Sequence, residues 1–109
     1  MAGIDIAGAV AACRVGEIAD GASLRLDAHP AVAVYRVGDE YFATADSCTH
    51  EEWSLGEEGE LDGYEVTCTL HMARFDVRDG RPLCLPATLG LRTFPVTVVD
   101  DVVYVRLDG

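Results

Sequence analysis

Apolar residues along this chain come in runs of four to six, broken by turn residues at short intervals. Val32-Ala33-Val34-Tyr35-Arg36-Val37 is apolar and β-branched, stops at Gly38-Asp39, and resumes as Tyr41-Phe42-Ala43-Thr44-Ala45. Two such runs joined by a glycine-containing pair predict a hairpin. A second hairpin is expected from Phe75-Asp76-Val77-Arg78, turning at Asp79-Gly80 into Arg81-Pro82-Leu83-Cys84-Leu85. A third runs Phe94 to Val99, turns at Asp100-Asp101, and returns from Val102 to Leu107. Cys13 to Ile18 and Ser23 to Leu26 each suit a short strand on either side of Gly21. Strands this short and this closely spaced predict an all-β antiparallel sandwich or small barrel.

Helical patterning is poor. The alanine-rich start could form one turn, weakened by Gly3 and Gly8. Residues 51 to 63 are rich in Glu and Gly, carry no amphipathic stripe, and read as a loop. At 109 residues the chain is expected to be a single domain spanning 1-109.

Charge narrows the partners. Eight basic residues face nineteen acidic ones, a formal net charge of -11. Nucleic acid and anionic membrane surfaces reward clustered Lys and Arg, so neither is expected as a partner. The apolar stretch from Ile6 to Cys13 is too short to cross a bilayer, and no basic residue precedes it. A cytoplasmic location is the expectation. In a reducing compartment Cys13 and Cys84 are expected to be free, partly buried thiols.

Chemistry concentrates in two short pairs, Cys48-Thr49-His50 and Cys68-Thr69-Leu70-His71, separated by seventeen residues. Each supplies one sulfur and one nitrogen ligand, so two cysteines and two histidines can converge on one metal centre. Structural zinc also takes two Cys and two His. Zinc fingers, however, keep both cysteines in one loop and both histidines on a helix, whereas here the pairs are mixed. One thiolate and one imidazole per loop suits a two-iron cluster with a different ligand set on each iron.

The stretch from Cys48 to Phe75, with Cys-Thr-His-Glu-Glu-Trp-Ser-Leu followed by Cys-Thr-Leu-His-Met-Ala-Arg-Phe, resembles the Rieske ferredoxins of aromatic-ring-hydroxylating dioxygenases, of the biphenyl and cumene type. The resemblance implies a Rieske-like sandwich with a cluster-binding part at about 46-88, made of two ligand loops and a proline loop. It implies one [2Fe-2S] cluster held by Cys48, His50, Cys68 and His71, with Pro86 on the covering loop. Thr49, Thr69, Leu70 and Met72 would shelter the cluster from water.

High-potential members of the superfamily resemble Cys-x-x-His-Gly-Ser-x-Tyr in the second loop, where Ser and Tyr hydroxyls donate hydrogen bonds to cluster sulfur. This chain has Met72, Ala73 and Phe75 at the corresponding places. It also lacks the extra cysteine that braces each loop in those proteins. Losing donors to sulfur disfavours the reduced, more negative cluster, so a potential of about −150 mV is expected. Glu51 and Glu52 push the same way, weakly, because exposed carboxylates are screened.

The function so implied is one-electron carriage from an NADH-dependent flavoprotein ferredoxin reductase to a terminal ring-hydroxylating oxygenase. The chain is not expected to be an enzyme. Once His50 and His71 are committed, only His29 remains, too few for a mononuclear iron site of two histidines and a carboxylate. No glycine-rich nucleotide fingerprint is present either. The alternative inside the superfamily is the small Rieske subunit of an assimilatory nitrite reductase. Trp53 is expected to pack beneath the first ligand loop, and His29, beside Pro30, to be solvated.

Overall fold

The computed structural model describes residues 8–28, 30–47, 54–69, 72–84 and 89–107. Among these residues, ten strands form three antiparallel sheets, accompanied by one short helix. Ala9–Arg14 (β1), Val102–Arg106 (β10) and Val96–Val99 (β9) make one, in the order β1-β10-β9. A second contains Ser23–Leu26 (β2), Val32–Val37 (β3), Glu40–Ala45 (β4) and Thr93–Phe94 (β8), in chain order. The third is Glu60–Asp62 (β5), Glu65–Cys68 (β6) and Ala73–Asp76 (β7). The helix α1, Leu55–Glu58, leads into β5.

The middle sheet explains why β3 is apolar almost throughout. Successive side chains of a strand point to opposite faces. Val32 and Val34 enter one hydrophobic cluster with Ile18, Ala43, Phe94, Val103 and Val105, against the β1-β10-β9 sheet. Ala33 and Tyr35 enter another with Leu55, Val66, Cys68, Phe75 and Leu91, against α1 and the β5-β6-β7 sheet. A strand covered on both faces has no solvent side to make polar. Each fully buried Val or Phe contributes about 1.5–3 kcal/mol relative to exposure. Tyr35 carries its hydroxyl into this interior, and Thr44 Oγ1, 2.9 Å away, accepts from it while donating to the Ala45 carbonyl.

Two of the expected hairpins form with the predicted turns. β3 and β4 pair from Val32↔Ala45 to Val37↔Glu40, and β9 and β10 pair from Val102↔Val99 to Val105↔Val96. The second turn places Asp100 and Asp101 at φ 50° and 65°. Asp is among the few side chains that tolerate this left-handed region.

Other expectations need correction. Of the alanine-rich start, residues 1–7 lie outside the described residues; from Ala9 the chain is strand, which ends at Arg14 rather than running to Ile18. It pairs with β10, whose Val103 and Val105 offer a buried partner that a lone helical turn would lack. Residues 51 to 63 are not all loop, since they hold α1 and β5. β7 takes β6 as its ladder partner, and among the described residues the expected return strand from Arg81 contributes a single bridge, Phe75↔Pro82. Asp76 N–H donates to the Arg81 carbonyl at 2.9 Å and Leu83 N–H to the Arg74 carbonyl at 2.8 Å on either side of that bridge, so the N–H that Pro82 lacks would face away from β7. Gly80, at φ 79°, is pressed so closely to the Leu91 carbonyl that a side chain would collide with it.

Candidate metal centre

Of the four predicted ligands, Cys68 lies among the described residues; Cys48, His50 and His71 lie outside them, as do His29, Thr49, Glu51, Glu52, Trp53, Leu70 and Pro86. Cys68 ends β6 as a free thiol, fully buried, with Ala73 directly across the ladder. Its cluster includes Leu55, Val66, Ala73 and Phe75, which carry no hydroxyl, and Tyr35, whose hydroxyl is engaged by Thr44. A thiolate in such surroundings needs a cation beside it. A metal ion supplies one, so the donor chemistry at Cys68 fits a metal-bound cysteine.

The backbone reverses immediately after Cys68. Met72 N–H donates to the Cys68 carbonyl at 2.7 Å, and Met72 itself sits at φ 61°. A non-glycine residue in that region is strained and persists only where its surroundings enforce it. Met72 is 61% exposed. Thr69 also has a partner within the fold. Its hydroxyl donates to the Glu58 carbonyl at 2.8 Å, tying the second predicted ligand pair to the end of α1.

The segment that carries Cys48 and His50 is framed by a buried carboxylate that sequence reasoning missed. Asp46 is 3% exposed. Its Oδ1 accepts from Ser54 Oγ at 3.0 Å and from Gly56 N–H at 2.9 Å. Its main-chain carbonyl accepts from Leu55 N–H at 2.9 Å, and its N–H donates to the Ala31 carbonyl at 3.0 Å. Arg25 Nε stands 3.6 Å from its other oxygen. Ser47 and Ser54 form a bridge just inside this clamp.

Ser54 also caps α1, accepting from Glu57 N–H at 3.1 Å. Serine followed three residues later by glutamate is the capping-box pattern, so a signal for this turn was present in Ser54-Leu55-Gly56-Glu57. Gly56 lets α1 lie against β2, because a Cβ there would stand 2.8 Å from the Arg25 and Leu24 backbone.

On the far side of Cys68, Asp76 closes β7. It is also buried, at 3%. Arg78 donates to it through Nε at 3.1 Å and Nη2 at 2.8 Å, while Arg81 Nη2 lies 3.5 Å away. The Arg78 hydrogen bond holds the Asp76 carboxyl below its ordinary pKa, and burial opposes this without winning. Arg78 also stacks over Tyr64, 4.2 Å from the ring centroid, and the Tyr64 hydroxyl donates to Glu40 at 2.7 Å. That bond pins the β5-β6 turn to the β3-β4 turn of the middle sheet and raises the Tyr64 pKa.

Cys84 is free and half-buried beside this turn, as is Cys13 far from it. Arg74 Nε donates to Cys84 Sγ at 3.4 Å, which lowers the thiol's pKa. Burial chiefly, with Glu17 adding to it, raises that of Cys13. Among the described residues no group of three or more His, Cys, Asp or Glu converges, as expected with one of the four predicted ligands described. No helix among them is long and apolar enough to cross a membrane.

Comparison with known proteins agrees with this arrangement. The family model for the Rieske [2Fe-2S] domain matches residues 8–95. The ferredoxin component of the p-cumate 2,3-dioxygenase system of Pseudomonas putida is 43% identical over 104 residues, covering 94% of this chain and 88% of that protein. The ferredoxin component of biphenyl 2,3-dioxygenase from Rhodococcus jostii is 46% identical over 98 residues, covering 89% and 91%. Among solved structures, a chain from the complex of reduced oxygenase and oxidized ferredoxin in carbazole 1,9a-dioxygenase superposes with a TM-score of 0.87. It is 38% identical, with 91% of this chain and 93% of that chain covered.

Proposed function

Since the chain belongs to the Rieske [2Fe-2S] domain family, we propose that it is the ferredoxin of an aromatic-ring-hydroxylating dioxygenase system, carrying single electrons to a terminal oxygenase. The observation that carries this reading is the likeness along almost the whole chain to ferredoxin components of such systems. The solved complex of an oxygenase with a ferredoxin supports the oxygenase as the receiving partner. The donor is an NADH-dependent flavoprotein reductase.

Cys48, His50, Cys68 and His71 hold one cluster, the cysteines on one iron and the histidines on the other. When bound, the cluster supplies reversible one-electron chemistry at nearly constant geometry. The chain's own residues do the rest. The apolar wall of Leu55, Val66, Ala73 and Phe75 keeps water from Cys68. Ala73 and Phe75 offer no hydroxyl to sulfur, so the reduced state lacks two stabilising hydrogen bonds and the potential lies low, at about −150 mV. Exposed Met72, next to His71, belongs to the surface a partner meets. The net charge of -11 steers the carrier towards basic docking sites.

The test joins two measurements on the purified, red-brown protein. With a flavoprotein reductase and an aromatic dioxygenase oxygenase, product should form from NADH only when this chain is present. Potentiometric titration should give a value near the low end of the Rieske range. A colourless protein with stoichiometric zinc, or a potential above zero, defeats the reading.

A further inference from the structure

Asp46 and Thr69 stand next to the two predicted ligand pairs, Asp46 two residues before Cys48 and Thr69 directly after Cys68. Both are bound to the same four-residue helix. Asp46 takes hydrogen bonds from Ser54 and Gly56 at its start, and Thr69 donates to Glu58 at its end. Between those points the helix is closed on itself by Glu58 N–H to the Ser54 carbonyl at 2.9 Å and Gly59 N–H to the Leu55 carbonyl at 3.0 Å. An unbroken path of short hydrogen bonds therefore runs from the base of one ligand segment to the other. No metal is part of it.

We propose that Asp46 is a positioning residue for the cluster: its buried carboxylate, acting through α1 and Thr69, fixes the spacing between the two ligand pairs before any metal binds. The inference rests on the ligand set proposed above.

Three features favour positioning over mere packing. The carboxylate receives two donors on one oxygen from residues on the far side of the 48–53 segment, so it joins that segment's two ends directly. The same residue uses its main-chain N–H and C=O to join β3's approach at Ala31 to α1 at Leu55. Glycine at position 56 lets the helix seat on β2, where Ser23 Oγ donates to the Gly56 carbonyl at 3.1 Å. A side chain lacking hydrogen-bonding atoms would fill the space at 46 but leave Gly56 N–H and Ser54 Oγ without their acceptor, at a site closed to water.

Asp46→Ala, Asp46→Asn and Ser54→Ala separate the possibilities, read by the rate of cluster loss to a chelator and by the electron paramagnetic resonance line shape of the reduced protein. Asn keeps an acceptor oxygen where Ala has none. Asp46→Ala should lose its cluster about tenfold faster than the parent, with a broadened resonance, while Asp46→Asn stays within about twofold. Ser54→Ala, which removes one donor and leaves the carboxylate, should fall between, at about threefold, and covers the case in which Asp46→Ala does not fold.

A purely structural residue would lower the melting temperature and leave the resonance and the release rate unchanged. That result in Asp46→Ala, or in Ser54→Ala if the former is insoluble, overturns the proposal. Cys48→Ser and His71→Ala distinguish the two readings. If either keeps a native spectrum, the ligand set is wrong. If both lose it while Asp46→Ala behaves as the parent, only the positioning role fails.

Discussion

Val34 and Cys68 are both fully buried, yet they lie in regions held together by different means. Val34 sits between the middle sheet and the β1-β10-β9 sheet, among side chains that are almost wholly aliphatic or aromatic. Cys68 sits in the other cluster, bordered by two buried carboxylates, Asp46 and Asp76, and by a left-handed Met72. The first region asks only that apolar surface leave water, a nondirectional requirement that many sequences satisfy. The second places donors and acceptors one by one, which fixes geometry at a cost in desolvation. A base that folds on burial alone can carry an end whose shape is set by individually placed hydrogen bonds.

The largest effect that would sharpen this contrast is removal of a proposed ligand from the polar end. Cys68→Ser should abolish the visible absorption of the cluster altogether. In hydrogen exchange, β5, β6 and β7 should lose protection while β3, β9 and β10 keep most of theirs. Uniform loss of protection would mean that the two regions fold as one unit and that the contrast is only descriptive.

The next breaks the base. Val103, fully buried on β10, loses two methyl groups in Val103→Ala and should cost about 2 kcal/mol in denaturant unfolding. Because nothing in that cluster reaches Cys68, the reduction potential and the resonance spectrum of the remaining folded protein should not move. A shift in either would show that strain passes through the middle sheet to the cluster end.

The same division decides what the sequence made legible. The β3-β4 and β9-β10 hairpins were readable because apolar runs and turn residues are local signals. α1 and β5 were harder to read: Leu55-Gly56-Glu57-Glu58 and Glu60-Leu61-Asp62 offer one apolar residue each, and the only local signal for α1 was the Ser54-to-Glu57 capping pattern. What stabilises them is tertiary: Leu55 buried against Ala33 and Tyr35, and a serine cap locked by a carboxylate eight residues earlier. Cys68 could be picked out by its spacing to His71. Asp46 could not, because an aspartate before a turn reads as solvated until the fold shows what closes over it. The return strand after Gly80 was over-read: among the described residues it makes one bridge to β7 where a ladder was expected.

The smallest effect tests the electrostatic part of the polar end through pH. The Arg78 hydrogen bond depresses the Asp76 carboxyl in the folded protein, against the opposing pull of burial. A depressed folded-state value means the charged form is favoured by folding. Its contribution is therefore complete above the unfolded value of about 3.9 and declines as pH falls through the folded one. Asp76→Asn keeps the side chain's shape and an acceptor for Arg78 N–H but loses the charge. The Arg78 and Arg81 side chains are 53% and 62% exposed, which screens the pair, so the variant should be less stable at pH 7 by about 1 kcal/mol. Denaturation from neutral to acidic pH should show this gap narrowing once pH falls below the unfolded value of about 3.9. Val103→Ala, measured alongside, should keep a constant gap, because no titrating group shares its cluster's buried core. An Asp76→Asn gap that stays constant as well would mean that the carboxylate serves by its shape and hydrogen bonds, and that its charge does nothing to hold the β7 turn.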